Sequence, residues 1–444
     1  MVPEGKPRFE LRAQVRRMRS PWFIFFVALF VRLLALSMAQ PWPLNPASPF
    51  WKSGLEIVNI AHSIASHRGF SSPFGIESGP TAWIPPVYPY VVAGIFMVLG
   101  PRSNLSAVAI LSMQALFSAL TCLPLYAIAK NAFDEDCAVF ASWAWALFPY
   151  AFLIPELFVW ETCFSGFLLT LLCSLCLTPP STGWWNWLAV GVLWGIAALT
   201  NTALVSVMPV LLLAPYFTMP LHASIKPIAV IILISMLVVC PWILRNRLVL
   251  GRLVPVRSNF GEELWVGNHS GGMGRINFGF SPSDNVAERD RYNRMGEIAY
   301  VTERRGEAVN FIRANPAHFV SDAFYRFRYF WFAVGEPAPI FTCYRLLTVI
   351  SLIGILLALR HKPGMPIVTL IAAISVYPLV YYLTNVYARY RYPIEPFMMV
   401  FAGFAISRTF VIFRKKNTIS IGDSASGQFR NGLATCHHRA CRQQ

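Results

Sequence analysis

The sequence predicts an all-α polytopic membrane protein, and three observations carry that prediction. Of 444 residues, 56% are hydrophobic and only 13% are charged, about half the ~25% charge of an ordinary soluble domain. Apolar runs near the ~20 residues needed to cross a bilayer recur along the chain. The 37 Lys and Arg, against 21 Asp and Glu, give a net charge of +16, yet they gather at the ends of those runs and in one polar segment. No Lys/Arg block interleaved with aromatics occurs in a soluble stretch, so the charge does not signal nucleic acid. Membrane lipids are the expected surroundings.

The first run, 21–40, follows six basic residues (Lys6, Arg8, Arg12, Arg16, Arg17 and Arg19). Its basic start and the small residues Ser37 and Ala39 have the look of a secretory leader. Arg32 interrupts the apolar stretch, however, and the run is of full spanning length, so it reads as an uncleaved first span behind a cytoplasmic N-terminus, 1–20. Further spans are expected near 105–129, 137–155, 159–178, 185–201, 203–219, 227–244, 341–359, 366–384 and 393–413, which makes ten. Arg414, Lys415 and Lys416 follow the last one. The positive-inside rule then puts both termini in the cytoplasm, which an even number of crossings satisfies. The bacterial inner or plasma membrane is the expected location. The stretch "PPVYPYVVAGIFMVLG" at 85–100 would reach only about 24 Å as a helix, short of a ~30 Å hydrocarbon core. It therefore reads as a juxtamembrane or re-entrant helix inside one long outside loop, 41–104.

Residues 246–340, with helical stretches at 286–313 and 316–333, are long enough for a small extracytoplasmic unit. The C-terminal spans occupy 341–413. The tail, 414–444, is low in hydrophobicity and is expected to be a disordered cytoplasmic extension; its "CHHRAC" does not have a zinc-ligand spacing. Cysteines lie mostly inside spans, and the C-x-x-C of Cys173 and Cys176 has no nearby cation to activate it.

Glu161, in "FVWETCF", opens an otherwise apolar run, where an ionised carboxylate costs about 2.5 kcal/mol or more. By the topology above it lies at the outer mouth of the fourth span. The first loop carries "GLEIVNIAHSIASHRG", whose Ile57, Ile60, Ala61, Ile64 and Ala65 keep the rhythm of an amphipathic helix that Gly69 ends. Glu56 falls at the edge of that stripe beside Asn59 and Ser63, facing a polar space; a first-turn carboxylate favoured by the helix dipole is the plainer account. Trp83, Tyr88 and Tyr90 in "TAWIPPVYPY" offer aromatic faces for a sugar or lipid pocket, and equally suit interfacial anchoring. In "NVYARYRYPIEP", Arg389 and Arg391 stand among Tyr387, Tyr390 and Tyr392, where a guanidinium can take a phosphate through paired hydrogen bonds or snorkel to the headgroups.

Taken together, "TAWIPPVYP", the acidic residue opening a later span, "PWILRN" and "RYRYPIEP" resemble the membrane glycosyltransferases that use polyprenyl-phosphate sugars, relatives of dolichyl-phosphate-mannose protein mannosyltransferases and of the aminoarabinose transferase to lipid A. The resemblance covers roughly residues 20–415 and implies a GT-C fold with a catalytic transmembrane module at 21–245. It implies a catalytic carboxylate in the first outside loop and a second acidic residue where the fourth span begins. Glu161 matches the second. The usual Asp-Glu pair of the first falls on Ser53 and Gly54, leaving Glu56 as a substitute about half a turn to one turn later.

Such an enzyme needs one general base for the acceptor and cations for the departing phosphate. Glu56 is assigned as base, Glu161 as orienting the acceptor or tuning Glu56, and Arg389 with Arg391 as phosphate ligands; Tyr387, Trp83, Tyr88 and Asn59 are the remaining expected substrate contacts. One base opposite the leaving group predicts inversion, by analogy with glycosidases. No cofactor is indicated; a divalent metal is compatible with Glu56 and Glu161 together, but no carboxylate cluster calls for one. The partners expected are a polyprenyl-phosphate-linked sugar donor and a lipid, glycan or protein acceptor. The rival is a lipid or glycolipid flippase, a class that shows internal repeats and polar helices at the midplane.

Overall fold

The computed structural model describes residues 16–39, 49–52, 54–177, 184–214, 221–272, 274, 278–336, 339–360 and 363–409. The expectations for residues 1–15, for Ser53 and for the tail with its "CHHRAC" fall outside them. All extended regular structure among the described residues is helical, with an isolated antiparallel bridge pairing Ser71 and Pro80.

Among the described residues, five helices are long and apolar enough to cross a membrane by themselves: Pro21–Met38, Asn104–Ala132, Ile225–Leu250, Ile340–Leu359 and Met365–Leu383. A sixth is gained if Glu135–Leu147 and Pro149–Pro155, bent by 45°, count as one. The expected ten is therefore not confirmed by length and composition among the described residues. Thr162–Leu177 and Trp184–Thr200 occupy two of the expected places with only 16 and 17 residues, about 25 Å at 1.5 Å per residue. The next one is broken: Asn201 ends the preceding helix, its side chain accepts from the Ala203 amide at 3.0 Å, and Thr202–Val207 follows as a 3₁₀ turn. Residues 395–409 are helical, and from 395 to 405 every one is buried by other helices.

One end of the bundle is fixed by ion pairs. Arg19 reaches Asp136 at 2.6 Å, Arg408 reaches Asp134 at 3.7 Å, and the Asn131 side chain donates to the carbonyl of Leu177 at 2.7 Å. The start of the first helix, the turn before Glu135, the end of Thr162–Leu177 and the end of the last helix thus share one end. Glu161, at the other terminus of Thr162–Leu177, lies at the opposite end.

Buried polar residues brace the interior. Arg32, wholly buried, donates to Ser118 Oγ at 2.8 Å and to the carbonyls of Ala28 and Ala146. Ser118 Oγ also accepts from the Tyr392 hydroxyl at 2.7 Å and donates to the Ala151 carbonyl. An arginine that looked like an interruption is thus a hydrogen-bonded bridge between three helices, the kind of compensation a buried charge needs.

The first loop is bound to the 246–340 segment. Glu297 accepts from the Thr81 hydroxyl, the Ala82 amide at 2.8 Å, the Ser258 hydroxyl at 2.7 Å and the Tyr292 hydroxyl at 2.7 Å. Arg245 of "PWILRN" donates to the carbonyls of Thr81 and Phe70 at 2.6 and 2.9 Å, over the Trp242 ring. The motifs "TAWIPP" and "PWILRN", about 160 residues apart in the chain, are therefore one structural joint.

Candidate active site

The Leu55–Ala65 helix starts at Gly54, whose φ of 129° is a conformation that side-chain-bearing residues rarely adopt. A Cβ at this position would collide with the carbonyl oxygen of Val159. The missing side chain is what lets the helix that carries Glu56 press against the strand of chain that carries Glu161. With this backbone any side chain at position 54, an acidic one included, would collide with Val159.

Glu161 is positioned by its own loop. Gln114 donates from Nε2 to the carbonyls of Pro155 and Phe158, at 2.6 and 3.0 Å, and accepts the Trp160 amide at 3.1 Å. The Tyr88 hydroxyl closes the set on Gln114 Oε1 at 2.5 Å. A single glutamine on the Asn104–Leu120 helix thus holds the turn before Glu161.

Two adjoining cavities result. The larger, about 390 Å³, is lined by Glu161, Tyr88, Asn201, Tyr377 and Tyr381 among others. The smaller, about 50 Å³, is lined by Glu56, Trp83, Asn259, Glu262, Ser281 and Asn385 among others. Ile84, Trp160, Arg257, Glu263, Arg389 and Tyr390 line both, so the two cavities meet at these residues. In the larger cavity Tyr381 stacks on Tyr390, with centroids 4.6 Å apart, and its hydroxyl meets that of Tyr377 at 3.2 Å. This gives an aromatic wall with a polar edge, suited to a sugar ring.

Arg389 lies between the two glutamates. Its guanidinium sits 4.0 Å from the Trp160 ring centroid, it is only 6% exposed, and its Nε has no hydrogen-bond partner. A buried donor left unpaired is rare enough to mark a place where a ligand supplies the acceptor. Arg257 pairs with Glu263 at 3.6 Å.

Burial dominates the acid–base character of the site. Glu161, which accepts from Asn201 at 3.3 Å, is pushed up to about 7 by burial, against the lowering effect of Arg389, its own backbone hydrogen bond and Arg257. Burial also raises Glu56, opposed by the Ser283 hydroxyl, which donates to Oε1 at 2.6 Å, and by Arg389. Glu262 is raised further, by burial and by the adjacent Glu263. Each carboxylate faces a cavity with part of its surface, but protein surrounds it on the remaining sides.

The structure brings together Glu56, Glu161, Arg389, Trp83 and Tyr88 around the two cavities. It does not bring Arg391 or Asn59 there, and Tyr387 stands behind Arg389, its ring centroid 5.4 Å from the guanidinium. Arg391 is wholly buried, paired with Glu395 at 2.9 Å and bonded to Thr348 Oγ1 and the carbonyls of Trp331 and Tyr344. Two residues on from Arg389 in a 3₁₀ turn, it points elsewhere and has no donor to spare for phosphate. Tyr387 packs edge-on to Phe158 and Tyr390. Asn59 sits on the buried side of its helix, donating to the Pro73 carbonyl at 3.0 Å and accepting from Arg102 at 2.8 Å, so it secures the loop and does not face Glu56's cavity. Sequence reasoning missed Arg257, Asn259, Glu262, Glu263, Ser283 and Asn385. The adjacent pair Glu262–Glu263 in an otherwise apolar-aromatic stretch was the one available signal.

Residues 84–244, well under half of the chain, match the family model of dolichyl-phosphate-mannose-protein mannosyltransferases. No curated protein matches the chain by sequence. Among solved structures, the Archaeoglobus fulgidus oligosaccharyltransferase AglB in complex with an inhibitory peptide and a dolichol-phosphate aligns over 90% of this chain with a TM-score of 0.56 at 14% identity. The chain has a GT-C-type fold. The same archaeal enzyme in complex with zinc and sulfate aligns over 91% of the chain, with a TM-score of 0.54 at 15% identity. The GT-C fold here spans about half the length of that enzyme, 52% and 51% in the two structures. ArnT from Cupriavidus metallidurans bound to undecaprenyl phosphate aligns more loosely, over 87% of this chain and 77% of its own at 14% identity, with a TM-score of 0.42.

Proposed function

We propose that this membrane protein is a glycosyltransferase that moves a sugar from a polyprenyl-phosphate donor to an acceptor at the extracytoplasmic face, with inversion. The observation that carries the reading is the pairing of two part-buried glutamates, Glu56 and Glu161, on adjoining cavities that share Arg389 and Arg257. The family match over residues 84–244 and the GT-C fold, shared with an enzyme complexed with a dolichol-phosphate, support it.

In this mechanism the donor lies in the larger cavity with its phosphate on Arg389 and Arg257, while its lipid tail stays in the bilayer. Glu56 takes the proton of the acceptor hydroxyl as its oxygen bonds to the anomeric carbon. The bond from that carbon to the phosphate oxygen breaks on the opposite face, and the phosphate leaves with the electron pair and its lipid. Glu161 orients the reacting groups and keeps Glu56 poised. The positive-inside rule, applied to Arg16, Arg17 and Arg19 at the far end of the bundle, supports an extracytoplasmic site.

The test is sugar transfer by the purified protein in detergent from a polyprenyl-phosphate sugar. Glu56→Gln should lower kcat by ~100-fold or more, the usual contribution of a general base. Undiminished transfer in both Glu56→Gln and Glu161→Gln would sink the assignment, and lipid translocation without transfer would establish the rival flippase.

A further inference from the structure

The smaller cavity contains more hydrogen-bond acceptors than the chemistry above uses. Asn259 and Asn385 line it and are 4% and 1% exposed. Glu263 takes up the NH₂ of both: Asn259 Nδ2 donates to its Oε1 at 3.2 Å, and Asn385 Nδ2 donates to its Oε2 at 2.5 Å and its carbonyl at 3.0 Å. The Oδ1 of each amide is left with no hydrogen-bond partner. Flipping either amide would set a carbonyl oxygen against the Glu263 carboxylate, so the network itself fixes the orientation. Two buried carbonyl oxygens are thus held for a donor that the protein does not supply.

The charges point the same way. Three carboxyl groups, Glu56, Glu262 and Glu263, line this cavity with two guanidiniums, Arg257 and Arg389; burial favours the neutral form of Glu262, and a cation entering beside it would favour the ionised one. Among the described residues no three His, Cys, Asp or Glu converge as metal ligands. A hydroxyl brings one hydrogen, whereas a primary ammonium brings three together with a positive charge. At about 50 Å³ the cavity has room for a group of that size.

We propose that the smaller cavity anchors a primary ammonium group of the acceptor, held by Asn259 Oδ1, Asn385 Oδ1 and the Glu262 carboxylate. This rests on the glycosyl-transfer reading, since it makes the occupant the acceptor, whose separate hydroxyl reacts at Glu56. The substrate class is an amine-bearing alcohol or lipid headgroup.

The experiment uses the full chain in detergent, with ethanolamine and its N-trimethyl counterpart choline as probes in calorimetric titration. Ethanolamine should bind saturably and choline about tenfold more weakly or worse, because trimethylation keeps the charge and removes all three N–H donors. Asn259→Ala and Asn385→Ala should each weaken ethanolamine about tenfold while undecaprenyl phosphate still raises their melting temperature, which shows that the variants are folded. Equal binding of the two probes, or no saturable binding of ethanolamine to the wild type, would overturn the proposal: the orphan oxygens would then be answered by water. Selective ethanolamine binding in a protein that transfers no sugar would keep the ammonium site and remove the transfer reading; transfer without selectivity would do the reverse.

Discussion

Glu161 is a carboxylate that burial holds near half-ionised at neutral pH, and this sets two opposite pH dependences. Its folded pKa of about 7 lies above the ordinary 4.5, so the folded state binds the proton more tightly. The stability present below about pH 4.5 is lost as pH rises through about 7. Glu161→Gln should therefore melt higher than the wild type at pH 8, with the difference vanishing at pH 5. Transfer should run the other way, rising through about pH 7 as Glu161 ionises, and Glu161→Gln should flatten that limb of the rate profile. The two arginines of "RYRYP" should also part company. Arg389→Met should keep its melting temperature and lose most transfer, because its guanidinium faces the cavities. Arg391→Met should unfold readily, since removing one partner of a buried ion pair costs roughly 3–5 kcal/mol. Equal thermal stability of the two variants would contradict the geometry.

At the scale of elements, the site depends on how closely two segments approach. Gly54→Ala combines a positive φ with a collision against Val159, so the helix carrying Glu56 must back away from the loop carrying Glu161. A displacement of about 1 Å in a reacting group can cost ~100-fold in rate, and that is the loss expected in kcat, measured beside a retained helical circular dichroism spectrum. Gly267 serves a similar end on the other side: a Cβ there would strike the Thr384 carbonyl oxygen. The Phe260–Gly267 helix, which carries Glu262 and Glu263, is thereby held against the loop carrying Asn385 and Arg389. Arg326, wholly buried, ties the same joint through the carbonyls of Gly267, Gly274 and Tyr382. Of these contacts the sequence showed the helical rhythm and the turn glycines; it did not show which glycine faced a neighbouring backbone.

At the scale of the whole molecule, the sides of the bundle yield to labelling. In a cysteine-free background, Ser66→Cys lies exposed at the end of the Glu56 helix, and Lys130→Cys lies exposed near Asp134 at the other end. An impermeant thiol reagent added outside intact cells should modify position 66 and spare position 130. Labelling of 130 alone would invert the topology and move the site to the cytoplasm. What the sequence by itself determined is the helical membrane class, the two carboxylates and the arginine-bearing loop, because hydropathy and a charge set in an apolar run are local properties that survive unfolding of the chain. Only the tertiary structure decided which arginine faces the cavities, that Asn59 is a brace, and that Asn259, Glu262, Glu263, Ser283 and Asn385 join Glu56. Those are matters of side-chain direction and of contacts across up to 227 residues of chain, and no local periodicity encodes them.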